Sequence, residues 1–168
     1  MALNEFIPRR RSPSQHISLQ IDAATARGLA IARSTADGTK GVIATSATAG
    51  ALGFLFREVT AAGPDIVQRT QAWGTDALTH ELELPDKAGG QCTVEVLEKY
   101  EAEGATYVQA SGTGAITTST PLQSKIAFRQ GKSEVLQGSD LDQGWRLVEA
   151  RTAVDGENAV RIVVEKVI

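Results

Sequence analysis

Of 168 residues only one is a cysteine, Cys92. No disulfide can form within the chain, which excludes a secreted fold stapled by cross-links. No run approaches the ~18 apolar residues of a membrane-spanning helix, so no membrane partner is expected. The segment from Met1 to Pro8 lacks the charged-then-apolar order of a signal peptide, and a soluble chain made in the cytoplasm is expected. Aromatic residues are scarce at 5%, which leaves Val, Ile, Leu and Ala to fill the core. Net charge is only −3, so the body is not expected to wrap nucleic acid by bulk electrostatics. Histidine is nearly absent, with His16 and His80 the only two. Together with Cys92 they give three candidate zinc ligands, none at ligand spacing, and no metal is expected.

What is present is a strand pattern. Ile17, Leu19 and Ile21 alternate with Ser18 and Gln20, the period-2 signature of a half-buried strand. Residues 22–33 admit a short helix or a strand; Gly28 and the turn-forming Thr35-Ala36-Asp37-Gly38 favour the strand. Leu52, Phe54 and Phe56 share one parity and are read as core. Leu78, Leu82 and Leu84 alternate with Thr79, Glu81 and Glu83 before Pro85-Asp86 stops the run. His80 shares the leucine parity and reads as a half-buried sheet histidine. Further strands are expected at 93–96, 126–128, 135–136, 145–150 and 159–167, with turns at 111–120 and Gly131-Lys132. Short strands separated by frequent turns argue an all-β domain, a small sandwich or barrel-like fold, with at most one short helix, at 22–33 or 93–103. At this length folding buries about 70% of the unfolded chain's surface, enough for one core without a staple.

Residues 1–15 stand apart from this domain of residues 16–168. Pro8 and Pro13 exclude a helix and favour an extended path. Phe6 and Ile7 can act as apolar anchors. Arg9, Arg10 and Arg11 form a basic cluster able to meet an acidic surface. The bland alternative is a solvated terminus.

The catalytic inventory is thin. A Cys92–His80 pair would be a nucleophile with its base, but no local motif accompanies it, and Cys92 reads as a small core residue. Gly131-Lys132-Ser133 resembles the end of a phosphate loop, yet the position that must be glycine is Ile126. Gly112-Thr113-Gly114 is followed by Thr117 where a dinucleotide fingerprint needs a third glycine, and reads as a turn. The carboxylate pairs Glu81/Glu83, Glu101/Glu103 and Asp140/Asp142 are read as solvated strand faces. Neither enzymatic activity nor a cofactor is expected.

The second half carries an ordered set of residues: Glu103-Gly104, Tyr107-Val108, Ser111-Gly112-Thr113-Gly114-Ala115-Ile116, Phe128 followed by Gly131-Lys132, Trp145-Arg146-Leu147, and Val160-Arg161-Ile162-Val163-Val164-Glu165. This order resembles the head decoration, or capsid cement, proteins of tailed bacteriophages, over roughly residues 77–168. The resemblance implies a β-rich protein on the outer surface of the virion, made in the host cytoplasm, that binds the assembled head and bridges capsomers. Its partners would be the major capsid protein and neighbouring copies of itself, as a homotrimer or similar small assembly. The arm residues Phe6, Ile7, Arg9, Arg10 and Arg11 would then make partner contacts. The alternative in the same class is another virion structural protein, of the tail tube, the head–tail joint or the minor capsid components. A carbohydrate- or ligand-binding β domain ranks lower, because such sites commonly use aromatic groups that this chain has few of.

Overall fold

The computed structural model of the chain describes residues 5–9, 15–45, 50–61, 86–152 and 160–167, the first stretch as backbone alone. The first strands in chain order are β1 (Glu5–Arg9), β2 (Gln15–Gln20), β3 (Ala30–Arg33), β4 (Gly41–Ile43), β5 (Gly53–Leu55) and β6 (Val59–Thr60). The rest are β7 (Asp86–Lys87), β8 (Gln91–Val96), β9 (Lys99–Glu103), β10 (Lys125–Arg129), β11 (Lys132–Val135), β12 (Trp145–Thr152) and β13 (Val160–Lys166). Among the described residues there is no helix, and the fold is all-β, as the alternation predicts.

An antiparallel six-stranded sheet has the order β1-β9-β13-β12-β10-β11, and an antiparallel five-stranded sheet the order β2-β8-β5-β3-β4. A third sheet is the parallel pair β6-β7. None closes into a barrel. The two large sheets pack as a sandwich. Phe54, Ala30 and Ala32 from one meet Tyr100, Ile126, Phe128, Trp145, Leu147, Ile162 and Val164 from the other, all buried. Four rings fill the centre of this core: Phe54, Tyr100, Phe128 and Trp145, with centroids 4.2–6.0 Å apart. Few aromatics suffice because these four are placed together.

The five-stranded sheet is apolar on both faces. Leu19, Ile31, Leu55, Cys92 and Val94 point away from the sandwich and form a second core with Ile21 and Val59. Its outer strands approach each other at one corner, where Gln20 N–H donates to Thr39 O at 3.2 Å and Lys40 Nζ lies 2.7 Å from Asp22. A Cβ on Gly41 would fall 3.2 Å from Leu19 Cδ1, so glycine is what lets β2 and β4 come so close.

Several expectations are refined. Within 22–33 only Ala30–Arg33 is strand, and residues 93–103 form β8 and β9 rather than a helix. Leu52 precedes β5 and packs on the second core, opposite Phe54. The strand expected at 78–84, with His80, lies outside the described residues.

Candidate functional site

The β10–β11 hairpin turns through Gln130 and Gly131, with φ of 50° and 78°. A two-residue loop with both angles positive matches the strand twist. Its tip is pinned to the other sheet: Gly131 N–H donates to Ala44 O at 3.1 Å, and Gly131 O accepts from Ala30 N–H at 3.3 Å. On the far side, residues 107–114 follow the outer edge of β11. Ser133 N–H donates to Tyr107 O at 2.8 Å, Gln109 N–H to Ser133 O at 2.9 Å and Val135 N–H to Gly114 O at 2.9 Å. Fully buried Ile116 anchors this segment, its N–H donating to Gln109 O at 2.8 Å.

Hairpin and segment enclose an open cleft of about 540 Å³ lined by Gln109, Thr113, Arg129, Gln130, Lys132, Glu134 and Gln137. No lining residue is apolar. Glu134 is 3% exposed, and its Oε1 accepts from Arg129 Nε at 2.8 Å. That bond holds the Arg129 guanidinium above its ordinary pKa, and Asp140 lies 3.6 Å from its Nη2. Gln109 and Gln137 donate through Nε2 to Ser111 O and Val135 O, at 2.7 and 2.8 Å, which fixes their amide planes. Glu134 Oε2, the Gln130 amide, the Thr113 hydroxyl and the Lys132 ammonium have no partner among the described residues. In the sequence, Gly131-Lys132 reads as a turn, and its likeness to the end of a phosphate loop fails at Ile126. Three glutamines scattered over 109–137 carry no linear signal that they converge.

The arm residues fall differently. Phe6, Ile7 and Arg9 belong to β1, whose register pairs them with Ala102, Glu101 and Lys99 on the edge of the six-stranded sheet. The extended path expected from the prolines is observed at 5–9, and Pro8 sits in an edge strand, where a missing N–H is tolerated. Arg10 and Arg11 lie outside the described residues.

The carboxylate pairs need correction. Glu101 and Glu103 do not form a solvated face, for they are 1% and 2% exposed. Arg161 lies between them, Nε 2.6 Å from Glu103 and Nη1 3.3 Å from Glu101, and Arg151 reaches Glu101 at 3.2 Å. Buried carboxylates require such cationic partners, and these lie on β12 and β13, beyond the reach of a local sequence pattern. A bulge between Leu147 and Glu149 helps, shifting the parity of β12 so that Glu149 and Arg151 join this outer face. Asp140 and Asp142 lie in the loop before β12, not on a strand. The Arg146 guanidinium, hydrogen-bonded at 2.8 and 2.9 Å, holds Asp142 well below the usual carboxylate range. Lys125 and Gly144 N–H take further acceptor positions on the same carboxylate, at 3.2 and 3.0 Å. Glu81 and Glu83 lie outside the described residues.

Cys92 is a core residue, 1% exposed, and burial pushes its thiol up, away from the thiolate a nucleophile needs. Gly112 and Gly114 are turn glycines, with φ of 77° and 78°. Among the described residues no group of three or more His, Cys, Asp or Glu is arranged to hold a metal.

No protein-family model matches the chain, and no curated protein matches it.

Proposed function

We propose that the chain is a tailed-phage capsid decoration protein, binding the outer surface of the assembled head, bridging capsomers and stabilising the shell against internal DNA pressure. The observation that carries this reading is where its motif residues fall. Glu103, Tyr107-Val108, Ile116, Phe128, Trp145-Leu147 and Val160–Glu165 are scattered over some sixty positions of sequence. They fold into one unit, the six-stranded sheet with the segment along β11, and Val108, Ile116, Phe128, Trp145, Leu147, Ile162 and Val164 share its core.

The N-terminal strand lies on the edge of that unit and leads directly into Arg9-Arg10-Arg11. In this reading the basic cluster meets acidic patches of the major capsid protein. Individual contacts are modest, and repetition over the lattice gives a firm hold. Neighbouring copies form a trimer or similar small assembly on the shell.

The test is co-sedimentation of the purified chain with capsids assembled without it, from the virus that encodes it. Saturable binding at a fixed ratio to capsid subunits is expected. Absence of binding, with rings or tubes in the free protein, would instead assign the chain to the tail or the head–tail joint.

A further inference from the structure

The cleft beside the β10–β11 hairpin is lined by polar groups, several of which keep hydrogen-bonding capacity that the fold does not use. One wall holds a carboxylate that is almost wholly buried, yet only one of its oxygens is engaged, by Arg129 at 2.8 Å. The other oxygen borders Gly114, where an added Cβ would approach it to 3.3 Å. Gln109 and Gln137, whose side-chain nitrogens are held by backbone carbonyls, line the same cleft, as do Gln130, Lys132 and Thr113.

The chemistry of these groups narrows the ligand. Every lining residue carries a polar group, so hydrogen-bonding groups rather than an aromatic or aliphatic platform would orient a ligand. A multivalent anion is disfavoured, because Arg129 is already compensated by Glu134 and Asp140, and Glu134 Oε2 would repel a second negative charge. The lining offers both acceptor and donor groups, and a ligand satisfying both must donate as well as accept. Adjacent hydroxyl groups do that. The volume of about 540 Å³ lies within the range of small-molecule sites. The geometry points to a binding site for a neutral, hydroxyl-rich ligand, a single sugar unit, hydrogen-bonded through Glu134, Gln109, Gln130 and Gln137. Without an aromatic platform the affinity is set by hydrogen bonds alone and falls in the millimolar range. The cleft lies along β11, at the edge of the six-stranded sheet opposite β1, the strand that carries Arg9.

The experiment is a nuclear magnetic resonance titration of the isotopically labelled full chain with glucose, galactose and N-acetylglucosamine, with phosphate and acetate in parallel. Saturable shifts of the Gln109, Gln130 and Gln137 side-chain amides are expected with at least one sugar. Glu134→Gln and Gln130→Ala should each weaken that binding about tenfold, equivalent to ~1.4 kcal/mol. Should Glu134→Gln fail to fold through loss of the Arg129 pair, Gln130→Ala carries the test, since Gln130 is exposed at the hairpin tip. The assignment is overturned if only phosphate or acetate shifts these amides, if no probe does so saturably, or if the variants bind sugar as the parent does. Capsid co-sedimentation of Gln130→Ala should be unchanged, so the two proposals fail separately.

Discussion

Tyr100 shows how much depends on single side chains. Its ring belongs to the aromatic centre of the sandwich, and its hydroxyl lies 2.6 Å from the Ser133 hydroxyl, with both residues buried. Tyr100→Phe strands the serine hydroxyl without a partner, and chemical denaturation should record a loss of about 1–3 kcal/mol. Burial pushes the Tyr100 phenol far above its ordinary value, and Tyr107, donating to Arg27 O at 2.6 Å, is raised by burial as well. Above pH ~10 the unfolded chain ionises both phenols while the folded one resists, so stability falls as pH rises. An ultraviolet titration should show one of the two phenols, that of Tyr100, ionising only with unfolding. Both phenols titrating near pH ~10 in the folded protein would contradict the burial of Tyr100. Gly53 makes a harder constraint, since a Cβ there would lie 2.5 Å from the Glu95 carbonyl oxygen, within backbone that cannot easily yield. Gly53→Ala should cost about 1–3 kcal/mol by thermal or chemical unfolding. None of these pairings is legible in sequence, because Tyr100 and Ser133, or Gly53 and Glu95, meet only across strands that are far apart in the chain.

At the scale of elements the sequence was far more readable. Strands β2, β8, β10, β12 and β13 were located from sequence, with period-2 alternation plainest in β2 and β13. It was silent on β1, where proline breaks the pattern and pairing with β9 supplies the structure. It misjudged Glu101 and Glu103 because alternation reports which residues share a face, not whether that face meets water. The bulge in β12 also hid the inward turn of Ala150. The cleft was invisible for a related reason: its walls are a hairpin tip and a loop joined only by tertiary hydrogen bonds. One consequence can be tested on β1. It adds a five-pair ladder to the edge of the six-stranded sheet, while the four rings at the centre of the sandwich come from other strands. Deleting residues 1–9 should lower the unfolding temperature yet leave a cooperative transition in the near-ultraviolet signal of the aromatic cluster. Loss of cooperativity would mean that the edge strand is required to hold the sandwich together.

The described residues form two cores sharing one sheet, with a polar cleft at one hairpin, and the sequence carries a basic run that begins in the N-terminal strand. In the proposed reading the cores supply rigidity, and the surface features supply contacts to other molecules. If the basic cluster meets acidic capsid patches, replacing Arg9, Arg10 and Arg11 by Ala should weaken capsid binding on the order of tenfold at low salt, as three surface charge contacts would. The difference from the parent should shrink as salt rises. Sedimentation binding curves at several ionic strengths check this, and a loss independent of salt would assign the segment a packing role. The most direct measurement is a difference map from electron microscopy of heads with and without the chain. The account predicts added density on the outer surface, repeated at every equivalent lattice position and fitted by the sandwich. Density confined to the tail, to the joining vertex or to the inner surface would contradict it.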